Sequence, residues 1–553
     1  MSAGGTPGGV DAARRWGMVI DLNRCVGCQT CTVACKLQNS TPPGVQWRRV
    51  IDVEQGAFPD VERVFLVVGC QHCAEPPCVP VCPTGATQQR ADGIITMNYD
   101  RCIGCSYCAV ACPYQARMIV YRQDWYYGVE TRQEQAVAQP ERLGVMTKCN
   151  FCQDRIAEGL AAGLTPGNDP AATPACAAAC ISQAIKFGDF NDEESLVSRL
   201  TTENKTFQMH AGLGTEPQIR YIYDHAMTPG RETDEREYDD VRLSQSGNPL
   251  VGQRQNFWDW KAAANFMLGG AASGLVLAAF AGWLAGGIPD RVLPLIYVLA
   301  AAIMAVGLIT LFFKTGRPLR ALNAMLRPQS SWMSRELYAV LTFYPLVAAE
   351  ALPLICEVGW QSNDVLHALV ALAACFFLIA QAHILFMAKG IPAWRGPLIP
   401  WMMITSGIFE GIALLAVLWA LRPWSPPQGG MGGLAGAGLV FAIATFILWV
   451  SYLLKAREVG IGPLSRRDLA ALTPIVAGIG QIVPAVLFTL VQLLPGLPLT
   501  PLLLTAGLTA LGGGLLWKHQ MVTRICHHQG YELPRVPQRG SGRHAAPARL
   551  KAA

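Results

Sequence analysis

Residues 102–113 read Cys102-Ile-Gly-Cys105-Ser-Tyr-Cys108-Ala-Val-Ala-Cys112-Pro113, and their spacing decides what the N-terminal half of the chain is. Three thiols two residues apart curl around one cluster of iron and sulfide. A fourth, set off by three residues and closed by a proline turn, reaches a neighbouring cluster. Such a run needs partners, and the chain supplies three more groups. They are Cys25-x2-Cys28-x2-Cys31-x3-Cys35, then Cys70-x2-Cys73-x4-Cys78-x3-Cys82-Pro83, and finally Cys149-x2-Cys152 followed after a gap by Cys176-x3-Cys180. Sixteen of nineteen cysteines thus fall into four sets of four, enough for four 4Fe–4S clusters. Zinc requires closed tetrahedral sets and leaves the third closely spaced cysteine and the Cys-Pro closure unexplained. Disulfides fit poorly with cysteines so near one another in sequence. The remaining Cys356, Cys375 and Cys526 lie in or beside apolar segments and read as small buried residues.

Between Cys82 and Cys102 a turn at Asp92-Gly93 precedes Ile94-Ile95-Thr96-Met97. Helix, turn and strand in that order are the repeat of a two-cluster ferredoxin. The second and third cysteine groups should therefore form one unit that exchanges its fourth ligands, with the first and fourth groups making a second unit around it. The expected fold class is α+β: a double two-cluster bacterial ferredoxin-like head, followed by an all-α eight-helix transmembrane bundle.

The bundle is read from composition. Hydrophobic residues make up 51% of the 553 and charged residues only 15%, apolar for a soluble chain. Polar residues concentrate before residue 256. Beyond it, apolar segments near 262–285, 292–313, 337–358, 365–388, 397–421, 434–454, 469–494 and 499–517 are each long enough to cross a bilayer. Pro345, Pro353, Pro474 and Pro484 fall inside these spans and predict kinks. The expected domains are a four-cluster head at 1–200, a polar linker or partner-contact segment at 201–261, a membrane anchor at 262–520 and a basic tail at 521–553. The acidic run Glu232-Thr-Asp-Glu-Arg-Glu-Tyr-Asp-Asp240 reads as part of the linker. Asn256-Phe-Trp-Asp-Trp260-Lys261 reads as a membrane-surface belt.

Connections on the N-terminal side, with the tail, carry eighteen Lys and Arg, against Arg291 and Arg422 opposite. The positive-inside rule then predicts a multi-pass protein of the cytoplasmic membrane with its head in the cytoplasm. The pair Arg14-Arg15 precedes Trp16-Gly-Met-Val-Ile-Asp21 and no apolar h-region, so a short strand is the stronger reading and a twin-arginine signal the weaker. The net charge of +5 is spread without a basic stripe interleaved with aromatics, which excludes the usual nucleic-acid surfaces.

Clusters in series make a one-electron wire. No flavin, nicotinamide or haem-attachment motif is visible in the head, so the outer end should meet another subunit and the inner end a membrane quinone, menaquinone or ubiquinone. Quinone chemistry also moves protons, and ionisable groups inside a membrane are functional candidates. On the head side these are Lys314, Arg317, Glu336, Gln381 and His383, with Glu350 and Glu410 nearer the midplane. Each has a plainer reading: Glu336 as a cap at the start of the third span, Lys314 as a positive-inside anchor, His383 as polar lining. Haem held by His383 and His519 is not expected.

The head resembles the four-cluster iron–sulfur subunit of the dimethyl sulfoxide reductase family of molybdoenzymes. The resemblance rests on Cys-Val-Gly-Cys-Gln-Thr-Cys at 25–31, Cys-Gln-His-Cys-Ala-Glu-Pro-Pro-Cys at 70–78, Cys-Ile-Gly-Cys-Ser-Tyr-Cys at 102–108 and Lys148-Cys-Asn-Phe-Cys-Gln-Asp-Arg155. The rest resembles that family's eight-span anchor through Gly316-Arg-Pro-Leu-Arg-Ala-Leu-Asn323, Ser331-Trp-Met-Ser-Arg-Glu336 and Thr523-Arg524, so that two normally separate subunits are fused. The resemblance implies a molybdopterin catalytic subunit as partner and four ligand sets. These are Cys25, Cys28, Cys31 with Cys180; Cys149, Cys152, Cys176 with Cys35; Cys70, Cys73, Cys78 with Cys112; and Cys102, Cys105, Cys108 with Cys82. It also implies a quinone site at Glu336, with Lys314 standing where the family has a histidine. A cytoplasmic head resembles the sulfite-oxidising complexes, which feed electrons to quinone. The alternatives are the same wire run from quinol to dimethyl sulfoxide or polysulfide, and a cysteine-rich membrane sensor or transporter. On the expected reading the chain performs no substrate chemistry but reacts with quinone.

Overall fold

The computed structural model describes residues 11–57, 60–223, 251–356, 363–421, 428–494 and 498–533. The acidic run 232–240, Arg422 and the tail beyond 533 lie outside these. In the head, strand β1 (Trp16–Asp21) leads into the first cysteine group, and β2 (Arg48–Ala57) and β3 (Asp60–Gly69) form a hairpin running into the second. Short antiparallel pairs follow: β4 (Thr87–Gln89) with β5 (Ile95–Met97), and β6 (Met118–Ile119) with β7 (Met146–Thr147). After the last cysteine, β8 (Ile185–Asp189) returns antiparallel to β1. With β9 (Thr206–Phe207) and β10 (Ile219–Ile222) it completes a sheet of order β8-β1-β10-β9. The strand before the first cysteine group thus pairs with the strand after the fourth, which gathers these distant groups as one unit. The β4–β5 hairpin lies between the second and third groups. The alternation of the core residues Met18 and Ile20 with Val19 puts the former against the cysteines and the latter against Val197.

Eight helices among the described residues are long and apolar enough to cross a bilayer. Numbered α1–α8, they are Trp260–Leu284, Leu293–Phe312, Trp332–Ile355, Asp364–Phe386, Ile399–Leu421, Gln428–Leu454, Pro463–Leu493 and Leu499–Thr523. Three boundaries differ from expectation in ways that matter. The head is expected to end at 200, yet β9 and β10 carry its sheet on to Ile222, inside the segment expected as a linker. Helix α3 starts at Trp332, so Glu336 lies a full turn inside it and is buried; the helix start is not where this carboxylate acts. Helix α8 runs on to Thr523, so Lys518 lies buried inside it and is not a tail residue. Within α7 the stretch Pro474–Ile482 is π-helical. Pro474 and Pro484 cannot donate in the regular ladder, and the widened turns accommodate them. Gly480 there meets Gly513 of α8 backbone to backbone.

Head and bundle share a continuous core. Cys82, Cys102, Cys108 and Tyr107 pack in one cluster with Phe266, Ile384, Trp394 and Trp517 of the bundle. Trp258 departs from the expected membrane belt. It is buried, donates from Nε1 to the Cys105 carbonyl (3.0 Å) and stacks on Trp394. The Gly316–Arg320 loop, expected as a positive-inside loop, is also a strut. Arg317 N–H donates to the Ile103 carbonyl (3.0 Å), its guanidinium to those of Leu143 and Pro140, and Arg320 Nη1 to that of Tyr99. From the chain's end, Arg49 Nη2 donates to the Tyr531 hydroxyl (2.8 Å), and Glu532 accepts from the His210 backbone N–H (2.8 Å). Bundle and C-terminal segment thus grip the head from two sides.

Candidate functional site

The sixteen cysteines gather into four quartets. Quartet A surrounds a small cavity lined by Cys25, Cys28, Cys31 and Cys180. In quartet B, Cys35 lies closest electrostatically to Cys149, Cys176 and Cys152, and Asn39 Nδ2 touches both Cys35 Sγ (3.7 Å) and Cys152 Sγ (3.8 Å). Quartet C lines a cavity with Cys70, Cys73, Cys78 and Cys112; quartet D lines another with Cys82, Cys102, Cys105 and Cys108. In each, three cysteines come from one group and the fourth from another.

No three His, Cys, Asp or Glu among the described residues stand close enough to hold a single metal ion. A zinc site would draw its sulfurs to about 2.3 Å from one centre, whereas these sulfurs ring a space, as a cubane requires. Burial pushes the Cys31 and Cys112 thiols up to about 11 and those of Cys108 and Cys149 up to about 12. Such thiolates persist in the interior only beside concentrated positive charge, which iron supplies. Backbone N–H groups already point at sulfur: Thr87 at Cys82 (3.5 Å), Phe151 at Cys149 (3.4 Å) and Ala184 at Cys180 (3.2 Å). The residues present fit 4Fe–4S clusters.

The quartets lie in series. Cys31 of A is near Cys176 of B, Cys149 of B near Cys70 of C, and Cys108 of D near Cys78 of C. Exposure sets A apart from the rest, since Cys28 of A is exposed and Cys25 half-buried, whereas D packs against the bundle. Around A the surface is apolar, with Val26, Val33, Leu37 and Ile181 exposed.

Beneath D the bundle carries a buried polar cluster. Tyr107, wholly buried, donates its hydroxyl to the Ile384 carbonyl (2.7 Å); burial raises its phenol, and charge on Cys105 and on Glu336 adds to the effect. Tyr107 therefore stands between quartet D and Glu336. Asn265 Nδ2 of α1 donates to Glu336 Oε1 (3.2 Å), and Gln381 Nε2 of α4 donates to the Asn265 carbonyl (2.9 Å). Lys518 of α8 donates to Glu410 Oε2 of α5 (2.7 Å), both side chains wholly buried. A Cβ on Gly270 would meet Lys518 Nζ, and one on Gly514 would meet Glu410; these glycines make the room. Glu336, Asn265, Gln381 and Lys518 each lie four or five residues from the head-side end of their helix. At 1.5 Å per residue they share one level, about 6–8 Å deep.

The other candidates lie elsewhere. The Lys314 ammonium meets the Tyr121 hydroxyl (3.3 Å) at the exposed seam between head and bundle. His383 stacks on Trp332 with centroids 4.2 Å apart, its Nδ1 at the Ile379 carbonyl (2.8 Å), and His519 lies beside Thr523. Glu350 is not near the midplane: eighteen residues along α3, about 27 Å from its start, it pairs with His367 Nδ1 (2.8 Å) toward the far end. Cys356 is exposed and Cys375 half-buried, so only Cys526 is a buried residue as expected. Asn265 and the Lys518–Glu410 pair escaped the sequence reading. Lys518 directly follows the last apolar run, where it counts as a loop cation; the lone Glu410 within an apolar run was the available signal.

Comparison with known proteins places both halves of the chain in families. Residues 16–37 match a 4Fe-4S binding domain, 61–190 a 4Fe-4S dicluster domain, and 250–513 the membrane family described as polysulphide reductase, NrfD. The head is 40% identical over 224 residues to a selenate reductase subunit of Mesobacillus selenatarsenatis, covering 38% of this chain and 72% of that one. It is 36% identical to a sulfite dehydrogenase subunit of Allochromatium vinosum, covering 42% of this chain and 90% of the relative. It is also 36% identical to the menaquinone reductase iron-sulfur cluster-binding subunit of Nitratidesulfovibrio vulgaris, covering 38% and 88%. With the cysteine groups, the ferredoxin-like head and the eight apolar helices all in place, the chain belongs to the family of iron–sulfur electron-transfer subunits of dimethyl sulfoxide reductase-type enzymes, and carries its NrfD-type membrane anchor on the same polypeptide.

Proposed function

We propose that the chain passes electrons through four 4Fe–4S clusters, one per quartet in the order A, B, C, D, between a molybdopterin-containing catalytic subunit and a membrane quinone. The observation that carries this reading is the position of Tyr107, in the wall between quartet D and the Glu336–Asn265–Gln381 cluster. Quartet A, with exposed Cys28 and an apolar rim, is the end open to a partner. When bound, the clusters supply one-electron transfer. The chain's own residues ligate them, exclude water from B, C and D, and offer a carboxylate where a reduced quinone exchanges its protons. Glu336 is the proton-handling residue on this reading. Asn265 and Gln381 orient it, while Lys314 and His383 are peripheral.

The head lies on the cytoplasmic side in this account, supported by the Lys and Arg of the head-side connections, although Lys518 drops out of that count. Electrons flow toward quinone, as the likeness to a sulfite dehydrogenase subunit suggests. Purification from native membranes should yield a brown protein with about sixteen irons, four per cluster, in complex with a molybdopterin subunit. Zinc in a colourless protein would refute the reading. Sulfite should reduce the quinone pool of these membranes; quinol-driven reduction of a sulfoxide or polysulfide instead would reverse the current. A Tyr127→Cys variant in a Cys356→Ser background, placed at a residue 80% exposed and away from the rim of quartet A, should react with an impermeant maleimide in inverted vesicles only; labelling of right-side-out vesicles would overturn the orientation.

A further inference from the structure

Two arginines are buried among the quartets with N–H groups that no protein atom accepts. Arg48 on β2 is 1% exposed and Arg117 is 3% exposed. Arg48 Nη2 donates to the Met18 thioether (3.2 Å), while its Nε and Nη1 have no partner. Arg117 Nη1 donates to the Thr87 hydroxyl and the Met97 thioether (both 3.2 Å), and its Nη2 has none. Neither has a carboxylate partner among the described residues. A guanidinium stays charged in proteins, and a buried charge without a counter-charge is strongly destabilising. The groups these cations do face are cysteines. Arg48 lies within electrostatic reach of Cys31 in quartet A and of Cys149 and Cys176 in quartet B. Arg117 lies within reach of Cys108 in quartet D and of Cys70, Cys78 and Cys112 in quartet C, whose cavity it lines. Each arginine thus sits between two consecutive quartets. Lys148, between B and C, is different: its ammonium is already taken by the Ile95 and Cys149 carbonyls.

We propose that Arg48 and Arg117 are positioning residues for electron transfer, each aiming its unpartnered N–H groups at the two clusters beside it and raising both their reduction potentials. The inference rests on the four-cluster reading. A cluster held by thiolates is anionic and gains charge on reduction, so a fixed cation and hydrogen bonds to sulfur favour the reduced state. Shared cations also weaken the repulsion between neighbouring reduced clusters.

The test is a redox titration of the full-length protein followed by electron paramagnetic resonance. Arg48→Met should lower the midpoints of two clusters by a factor of ten or more in the reduction equilibrium, about 59 mV for one electron, and leave the other two in place. Arg117→Met should lower the complementary pair, and Arg48→Lys should retain most of the wild-type potentials. Unmoved midpoints at full iron content, or both Met variants moving the same clusters, would overturn the proposal. If the Met variants lose iron, wild-type protein labelled with 15N-guanidino arginine decides. Nitrogen coupling to the reduced clusters supports the assignment, and its absence overturns it. Wild-type protein without iron would instead refute the wire itself.

Discussion

At the residue scale, the proposed function turns on a few charged side chains placed where charge is costly. Glu336 is held by Asn265 at a level shared with Gln381 and Lys518, so Glu336→Gln keeps the shape and the hydrogen-bonding level but removes the proton-exchanging group. Quinone turnover should fall roughly 100-fold, the lower end of what a positioned proton donor contributes, with iron content unchanged; unaltered steady-state turnover would remove Glu336 from the site. Lys518→Met leaves Glu410 buried and unpaired, which should cost about 3–5 kcal/mol, and adding Glu410→Gln should restore most of the loss. Melting temperatures of the two variants in detergent measure the difference. The cysteines were legible from spacing alone, because cluster geometry imposes intervals that survive in one dimension. Asn265, and the partnership of Lys518 with Glu410, were not, because each depends on which helices become neighbours. Glu336 was legible as a residue but not as a buried one, since apolar periodicity places the start of α3 a turn too late.

At the element scale, loops expected to be simple connections prove to be joints. The strut at Gly316 meets Gly144 and Gly104 of the head backbone to backbone, leaving no space for a side chain. Gly316→Val should push the strut off quartet D. Cluster content should remain, while electron transfer from the head into quinone slows at least tenfold, because the distance between D and the Glu336 level grows. Stopped-flow reoxidation at cluster wavelengths would show it; wild-type rates would mean that Trp258 and Tyr107 alone fix the spacing. Read along the chain, these arginines and glycines have a role in topology. Their docking role required the head and the bundle to be seen together, since neither half shows its partner's carbonyls.

For the whole molecule, fusing head and anchor in one chain fixes the order of the wire relative to the membrane, with A outermost and D buried in the shared core. The assembled clusters also tie stability to pH. Ligation needs thiolates, and burial holds thiols such as Cys31 and Cys112 at about 11 and Cys108 and Cys149 at about 12 without iron. Cluster binding near neutral pH therefore releases a proton from each such ligand, and iron affinity falls as pH falls. Brown absorbance should bleach on acidification below neutral and persist when pH is raised from about 7 to 9; loss on raising the pH would contradict this sign.

The proposed function requires that electrons leave quartet D for a quinone in the bundle without help from another protein. Purified full-length protein, reduced chemically and then mixed with a short-chain naphthoquinone or benzoquinone, tests it in one turnover. All reduced-cluster signals should disappear together in wild type and persist far longer in Glu336→Gln. Clusters that stay reduced in the wild-type protein after quinone is added would contradict it.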